Sequence, residues 1–336
     1  MPAIHEPPET LIITRRDIAR AMSLADYVAA AEVAFRAAAE GRAAAPPPMH
    51  LPLARGGFHA KGATLALDRS YVAVKVNGNF PGNPRDNGLP TIQGAILLAD
   101  GETGALLAVL DSAEVTLRRT AAISALAAQL LARPDSGTLL VCGCGEQGRA
   151  HLEALAEVLP LKRCLLWDLD RRAADALAAD AAQRLGIDAE PVSDLAGAAP
   201  QADVIVTCTS ARAPFLDLAN VQAGTFIAAV GADSPDKNEL SPRLMAGATV
   251  VADVLAQCTA MGDLQHAIEA GAMTEADVHA ELAQVLVGAR AGRRSPEDVI
   301  VFDSTGTGLQ DVAAAAAIFE RCRGNPAVLS VALERK

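Results

Sequence analysis

The stretch Leu139–Leu155, "LLVCGCGEQGRAHLEAL", interleaves Cys142 and Cys144 with Gly143, Gly145 and Gly148. Three chemistries compete for it: a metal site, a redox pair or a phosphate cradle. A thioredoxin-like pair needs two residues between its cysteines, and a zinc ribbon needs two such pairs. Here one residue separates them and no second pair stands at ligand spacing, so the thiols read as small apolar filler and no metal is expected. The glycines form G-x-G-x-x-G directly after an apolar run and directly before a helical pattern. Gly143 permits a tight turn, Gly145 lets a pyrophosphate approach the backbone, and Gly148 lets helix and strand pack closely. The helix tip, with Glu146 and Gln147, then offers N–H groups and a positive dipole end to the anion.

The next apolar run ends at Asp168, twenty residues beyond Gly148. An acid there accepts hydrogen bonds from a ribose 2′-hydroxyl and repels a 2′-phosphate, which favours NAD(H). Arg171 and Arg172 follow closely and are able to meet a phosphate, so NADP(H) stays open. The alternative for Asp168 is a cap on the "RRAADAL" helix.

These residues need a scaffold, and the chain supplies two rhythms. Up to about residue 118, a helix runs from the cap Ser23 to Glu40 and is stopped by "GRAAAPPP". Then come β-like runs, "LPLARGGFHAKGATLAL", "SYVAVKVNGNF", "TIQGAILLAD" and "ALLAVLD", joined by turn signals such as "DNGLP" and "DGETG",. That is an antiparallel pattern. From "TLRRTAAISALAAQLLARPDSG" onward, continuous apolar strands alternate with helices, the mark of a parallel sheet covered on both faces. The expected fold class is α/β, a Rossmann-type doubly wound sheet plus an N-terminal α+β domain.

At 336 residues, one or two domains are expected,. The net charge of −11 argues against nucleic acid, which needs a basic face,. No apolar run reaches membrane-spanning length, and "MPAIHEPPET" lacks the pattern of a signal peptide,. Six scattered cysteines do not make a disulfide framework and fit a reducing cytoplasm,.

"VKVNGN" (Val74–Asn79), "LPTIQG" (Leu89–Gly94), "LLAVLDSAEVTLRRTAAISALAA" (Leu106–Ala128), "GCGEQG", "VGADSPDKNEL" (Val230–Leu240) and "VFDSTGTGLQD" (Val301–Asp311) occur in that order. As a set they resemble the ornithine cyclodeaminase/mu-crystallin family over nearly the whole chain. The resemblance implies a homodimer with a substrate-binding and dimerisation domain (1–118 with 312–336) and a dinucleotide-binding Rossmann domain (119–311). It implies an enzyme that deaminates and cyclises, dehydrogenates amino acids or reduces imines, although one member binds a thyroid hormone.

Carried over residue by residue, the family's carboxylate-binding arginine matches Arg119, whose guanidinium is able to hold an α-carboxylate by two parallel bonds. Arg118 should then point elsewhere. Lys75 matches the family lysine; it lies in an apolar run, where a charge needs a partner or a job, either a structural ion pair or, as a catalytic residue, a contact to the substrate's carboxylate or its reacting nitrogen. Asp233 matches the G-A-D aspartate, which would stabilise a protonated imine and exchange a proton with its nitrogen; an Asx-turn is the alternative. For the cofactor the resemblance adds Thr91, Thr120, Gln147, Thr209, Ser210, Val230, Gly231 and Ser304.

Two departures stand out. Where the family often has an arginine after two prolines, this chain has Met49, followed by His50. Where true cyclodeaminases carry an acid near the Lys75 strand, "FHAKGATL" offers His59 and Lys61. A cation there repels an ornithine ammonium and welcomes a carboxylate, unless Lys61 is simply a solvated strand residue. The expected activity is an NAD(P)-dependent oxidoreductase acting at the α-carbon of a small imino or amino acid, either a ketimine or Δ1-pyrroline-2-carboxylate reductase or an alanine-type dehydrogenase. The rivals are an ornithine cyclodeaminase and a cofactor-dependent binding protein.

Overall fold

The computed structural model describes residues 9–333. Most of "MPAIHEPPET", on which the signal-peptide expectation rests, lies outside them. The chain divides into two compact units, one running to Arg119 and resuming at Thr307, the other Thr120–Gly306. Arg119 and the stretch 307–311 therefore belong to the first unit.

In the first unit the helix Leu24–Ala39 begins at Ser23, where Ser23 and Asp26 cap each other's backbone N–H groups,. Its buried residues, among them Tyr27, Ala31, Ala34 and Phe35, recur at helical spacing,. The β-like runs become strands Met49–Leu53, Gly56–Ala66, Ser70–Asn79, Ile92–Asp100 and Leu106–Asp111, each antiparallel to the next. Beyond them, Thr10–Ile13 pairs parallel with Leu106–Asp111 and antiparallel with Leu329–Val331, so the sheet is mixed. These two short strands carry too few residues to show a period of their own.

This sheet has two unlike faces. On Ser70–Asn79 the residues Tyr71, Ala73, Lys75 and Asn77 are buried, while Val74 and Val76 alternate with them and stay exposed,. The helix Gly308–Cys322 lies on the Lys75 face, against Gly56–Ala66 and Ser70–Asn79. A β-carbon on Gly308 would come within 2.3 Å of the Gly62 carbonyl, so the close seat of this helix needs glycine.

The second unit is an eight-stranded, wholly parallel sheet. From one edge its strands are Asp188–Val192, Arg163–Trp167, Thr138–Cys142, Val204–Thr207, Phe226–Ala229, Ile300–Asp303, Thr249–Ala252 and Ala280–Glu281. The chain winds one way from Thr138–Cys142 and then crosses to Val204–Thr207 to wind the other. The switch point of this Rossmann-type fold therefore falls beside the glycine loop, where open α/β sheets bind ligands.

Candidate active site

The glycine loop has the geometry its spacing predicts. Gly143 takes φ +104°, and a β-carbon there would come within 2.9 Å of the Cys208 carbonyl,. A β-carbon on Gly148 would strike the Gly143 carbonyl at 2.0 Å, so only glycine lets the helix Glu146–Val158 sit this close to its strand. At Gly145, by contrast, nothing lies within 4 Å of the missing side chain. Gly145 also begins the helix without a side-chain cap. The loop is thus open on the side where an anion would approach the helix tip.

Asp168 completes the loop. One carboxylate oxygen accepts the Cys144 N–H at 2.7 Å and the other the Asp170 N–H at 2.8 Å. The cap of the helix Arg171–Leu185 is Asp170, not Asp168. Arg171 pairs along its helix with Asp175, and Arg172 pairs with Asp170. Cys142 and Cys144 are buried; burial pushes the Cys144 thiol up to about 12 and Cys142 well above its usual value, so neither is a thiolate at neutral pH,. Among the described residues no group of His, Cys, Asp and Glu has the arrangement to hold a metal.

In the first unit three predicted substrate residues converge. Lys75 and Arg119 are both buried, and both reach the carboxylate of Asp311. Lys75 Nζ lies 2.7 Å from Oδ2 and 2.9 Å from Oδ1, and Arg119 Nε donates to Oδ1 at 3.2 Å. Arg119 also donates through Nη1 to Gln310 at 2.7 Å. Lys61 stands opposite Lys75 on the neighbouring strand, and its charge bears on both Lys75 and Asp311. Beside it His59 faces His50, with their Nδ1 atoms 2.6 Å apart. Arg118 pairs instead with Glu114, four residues back.

Burial, then the neighbouring Arg119 charge, lowers Lys75 to about 7, against the partial support of Asp311,. Burial works to raise Asp311, but the Lys75 and Arg119 cations overcome it and hold the carboxyl below its ordinary range. Lys75, Arg119 and Lys61 thus all act on the Asp311 carboxylate. Asp311 and Gln310 were not singled out from sequence, although they close the "STGTGLQD" stretch.

In the second unit Asp233 is half exposed and accepts from Lys237 Nζ at 2.6 Å, four residues on. Thr209 and Gly231 are both held by Glu239, while Ser304 donates its hydroxyl to Asp253 at 2.9 Å. Ser210 is exposed, Val230 and Thr120 are buried, and Thr91, in the first unit, gives its carbonyl to the Phe80 N–H. Glu239 and Asp253 are further residues that sequence reasoning missed. Their one signal was an acid inside or beside an apolar strand, as in "VVADV".

Residues 8–325 match the model of the ornithine cyclodeaminase/mu-crystallin family. The chain belongs to that family. An alanine dehydrogenase from Archaeoglobus fulgidus is 37% identical, over 93% of this chain and 95% of that one. Among solved structures, an archaeal alanine dehydrogenase dimer with bound NAD superposes with a TM-score of 0.92 at 35% identity, covering 97% of this chain and all of that one. The Δ1-pyrroline-2-carboxylate reductase of Thermococcus litoralis, in complex with NADH and L-proline, gives 0.92 at 28% identity, covering 96% of this chain and all of that one. This member of the family keeps the glycine loop, Lys75, Arg119 and the G-A-D aspartate together in one chain.

Proposed function

We propose that this chain is an NAD(H)-dependent oxidoreductase acting at the α-carbon of a small imino or amino acid. A ketimine or Δ1-pyrroline-2-carboxylate reductase is the first choice, and an alanine-type dehydrogenase the second. The observation that carries the reading is the buried pair Lys75 and Arg119, two cations that share the carboxylate of Asp311. Such a group is completed by an anionic substrate.

The glycine loop fits a dinucleotide because it is open at Gly145 and closed by necessity at Gly143 and Gly148. Gly143, Gly145, Gly148 and the helix-tip residues Glu146 and Gln147 would hold the pyrophosphate, and Asp168 the ribose, which favours NAD(H) over NADP(H). Thr91, Thr120, Thr209, Ser210, Val230, Gly231 and Ser304 are proposed to complete the cofactor contacts. When bound, the nicotinamide supplies or accepts hydride at the α-carbon. Arg119 and Lys75 hold the substrate's carboxylate and so orient the reacting carbon. Asp233 gives a proton to, or takes one from, the substrate nitrogen and stabilises its cationic form. The Lys61 cation, beside which His59 lies, disfavours a distal ammonium and hence ornithine.

The exposed face of the first sheet supports a homodimer. Met49, Leu51, Phe58, Val74, Val76 and Leu97 share it across four strands, and an apolar patch of this breadth marks an interaction surface,. A second copy, offering the same face, is the proposed occupant. The six cysteines are all unbridged, consistent with a reducing cytoplasm as the place of work,.

The test is NADH absorbance with a panel of cyclic imines, and of 2-oxo acids with ammonia or methylamine. Oxidation of NADH by at least one imine or oxo acid is expected, with most turnover lost and NADH binding kept in Asp233→Ala. Ammonia and proline formed from ornithine without net NADH would replace this reading by a cyclodeaminase.

A further inference from the structure

Three neighbouring strand ends of the parallel sheet are tied by buried carboxylates that the proposed chemistry does not use. Thr209 follows the strand Val204–Thr207, and Gly231 follows its neighbour Phe226–Ala229. Glu239, fully buried, spans both. Its Oε1 accepts the Thr209 N–H and the Thr209 hydroxyl, each at 2.6 Å, and its Oε2 accepts the Gly231 N–H at 2.9 Å. A β-carbon on Gly231 would lie 2.4 Å from this carboxylate, so glycine is what lets it come so near. Glu239 is itself anchored by Asp263, whose Oδ1 accepts the Glu239 N–H at 2.7 Å and the Leu240 N–H at 3.0 Å. Asp303, at the end of the third strand, accepts the Leu264 N–H at 3.0 Å.

Stability alone does not explain this arrangement. A buried acid is a poorer contributor than an apolar side chain of its volume, so three of them at the ligand-binding end of an open sheet point to a geometric task. We propose that Glu239 is a positioning residue for the dinucleotide cradle, locking Thr209 and Gly231 at a fixed spacing. The inference rests on the NAD(H) reading above, which makes both residues cofactor contacts.

The lock has an on and an off state. The ionised carboxylate accepts all three hydrogen bonds; once protonated, it has a donor where an acceptor is needed. Burial and the charge of Asp263 raise the Glu239 carboxyl to about 7, against the hydrogen bonds from Thr209. Among the described residues, Lys237 and the thiols of Cys142 and Cys208 also bear on it. Asp263 is raised as well, to about 6, chiefly by burial.

The experiment is a fluorescence titration of the full-length protein with NADH from about pH 8 to about pH 6, on the wild type, Glu239→Gln and Asp263→Asn. Wild-type affinity should fall about threefold or more on acidification. Glu239→Gln should bind about tenfold more weakly at the alkaline end, the effect of one unpaired buried N–H, with a flattened pH profile. Asp263→Asn keeps the acceptor oxygen for both backbone N–H groups, so it should fold. By removing a like charge it should move the wild-type midpoint to lower pH, and it serves as the test if Glu239→Gln fails to fold. Wild-type binding with unchanged affinity and profile in Glu239→Gln, or an unmoved midpoint in Asp263→Asn, overturns the positioning role and leaves the NAD(H) reading intact. A wild type that does not bind NADH overturns that reading, and the role of Glu239 with it.

Discussion

Lys61 and Lys75 stand directly opposite each other on adjacent antiparallel strands, on the face that carries Asp311. Like charges so placed repel, and Lys61 is one of the causes that lower Lys75 while Asp311 acts the other way,. On the proposed function, a carboxylate bound beside the pair would relieve that repulsion.

Replacing Lys61 by Gln should change the stability of the fold by no more than about 0.5 kcal/mol, the scale of one cross-strand pair. The Michaelis constant for the acid substrate should rise several-fold, with a smaller change in kcat. Denaturant unfolding and steady-state kinetics measure the two effects. An unchanged Michaelis constant would return Lys61 to the role of a solvated strand residue.

Lys75 sets a pH dependence. Lowered to about 7, it is a cation below that value and loses its charge above it. The kcat/KM for a carboxylate substrate should therefore decline as pH rises through about 7, and Lys75→Arg should remove that limb, since arginine stays charged. The stability linkage has a definite sign. Between about 7 and the ordinary lysine value of 10.5, the unfolded chain holds the extra proton, so the Lys75 contribution to stability improves as pH rises through that window,. Parallel kinetic and melting profiles check both statements.

Asp311→Ala should destabilise the protein by about 3–5 kcal/mol, because it leaves Lys75 and Arg119 buried without their shared acid. Combining it with Lys75→Met should recover part of the loss while turnover stays absent. Additive losses in a double-mutant cycle would show that the two side chains do not interact.

The glycine loop separates binding from folding. Gly145→Val points into open space, so Tm should change little while the Kd for NADH rises about tenfold or more,. Gly148→Val collides with the Gly143 carbonyl and should lower Tm sharply,. Calorimetric titration and thermal melts distinguish the pair; an equal loss of Tm in both would contradict the assignment.

A charge on the exposed sheet face should break the proposed dimer. Val74→Lys or Leu97→Lys places an ammonium in the middle of the patch, and sedimentation should show the mass halving,. Wild-type protein sedimenting as a single chain would remove the dimer proposal outright.

Much of this molecule was legible in one dimension because its signals are local. The glycine loop, its flanking strand and helix, and Asp168 occupy one short βαβ stretch, so their spacing and order together pointed to a dinucleotide cradle. Ser23 announced its helix in the same way, since a cap and the N–H groups it accepts lie within one turn. Lys75 stood out as a charge in an apolar strand.

What the sequence did not contain in readable form is which partner each buried charge has. Lys75 meets Asp311 across 236 residues and Arg119 meets it across 192. No periodicity encodes contacts of that range; they exist because the helix Gly308–Cys322 folds back onto the first sheet. Glu239 likewise had no role in the sequence reading; the parallel sheet brings Thr209 and Gly231 to its carboxylate. Local spacing determined the cradle, and the alternation of apolar strands with helices determined the fold class. Only tertiary packing decided the protonation and pairing of the groups around it, because desolvation and Coulomb energy depend on distance in space and not along the chain.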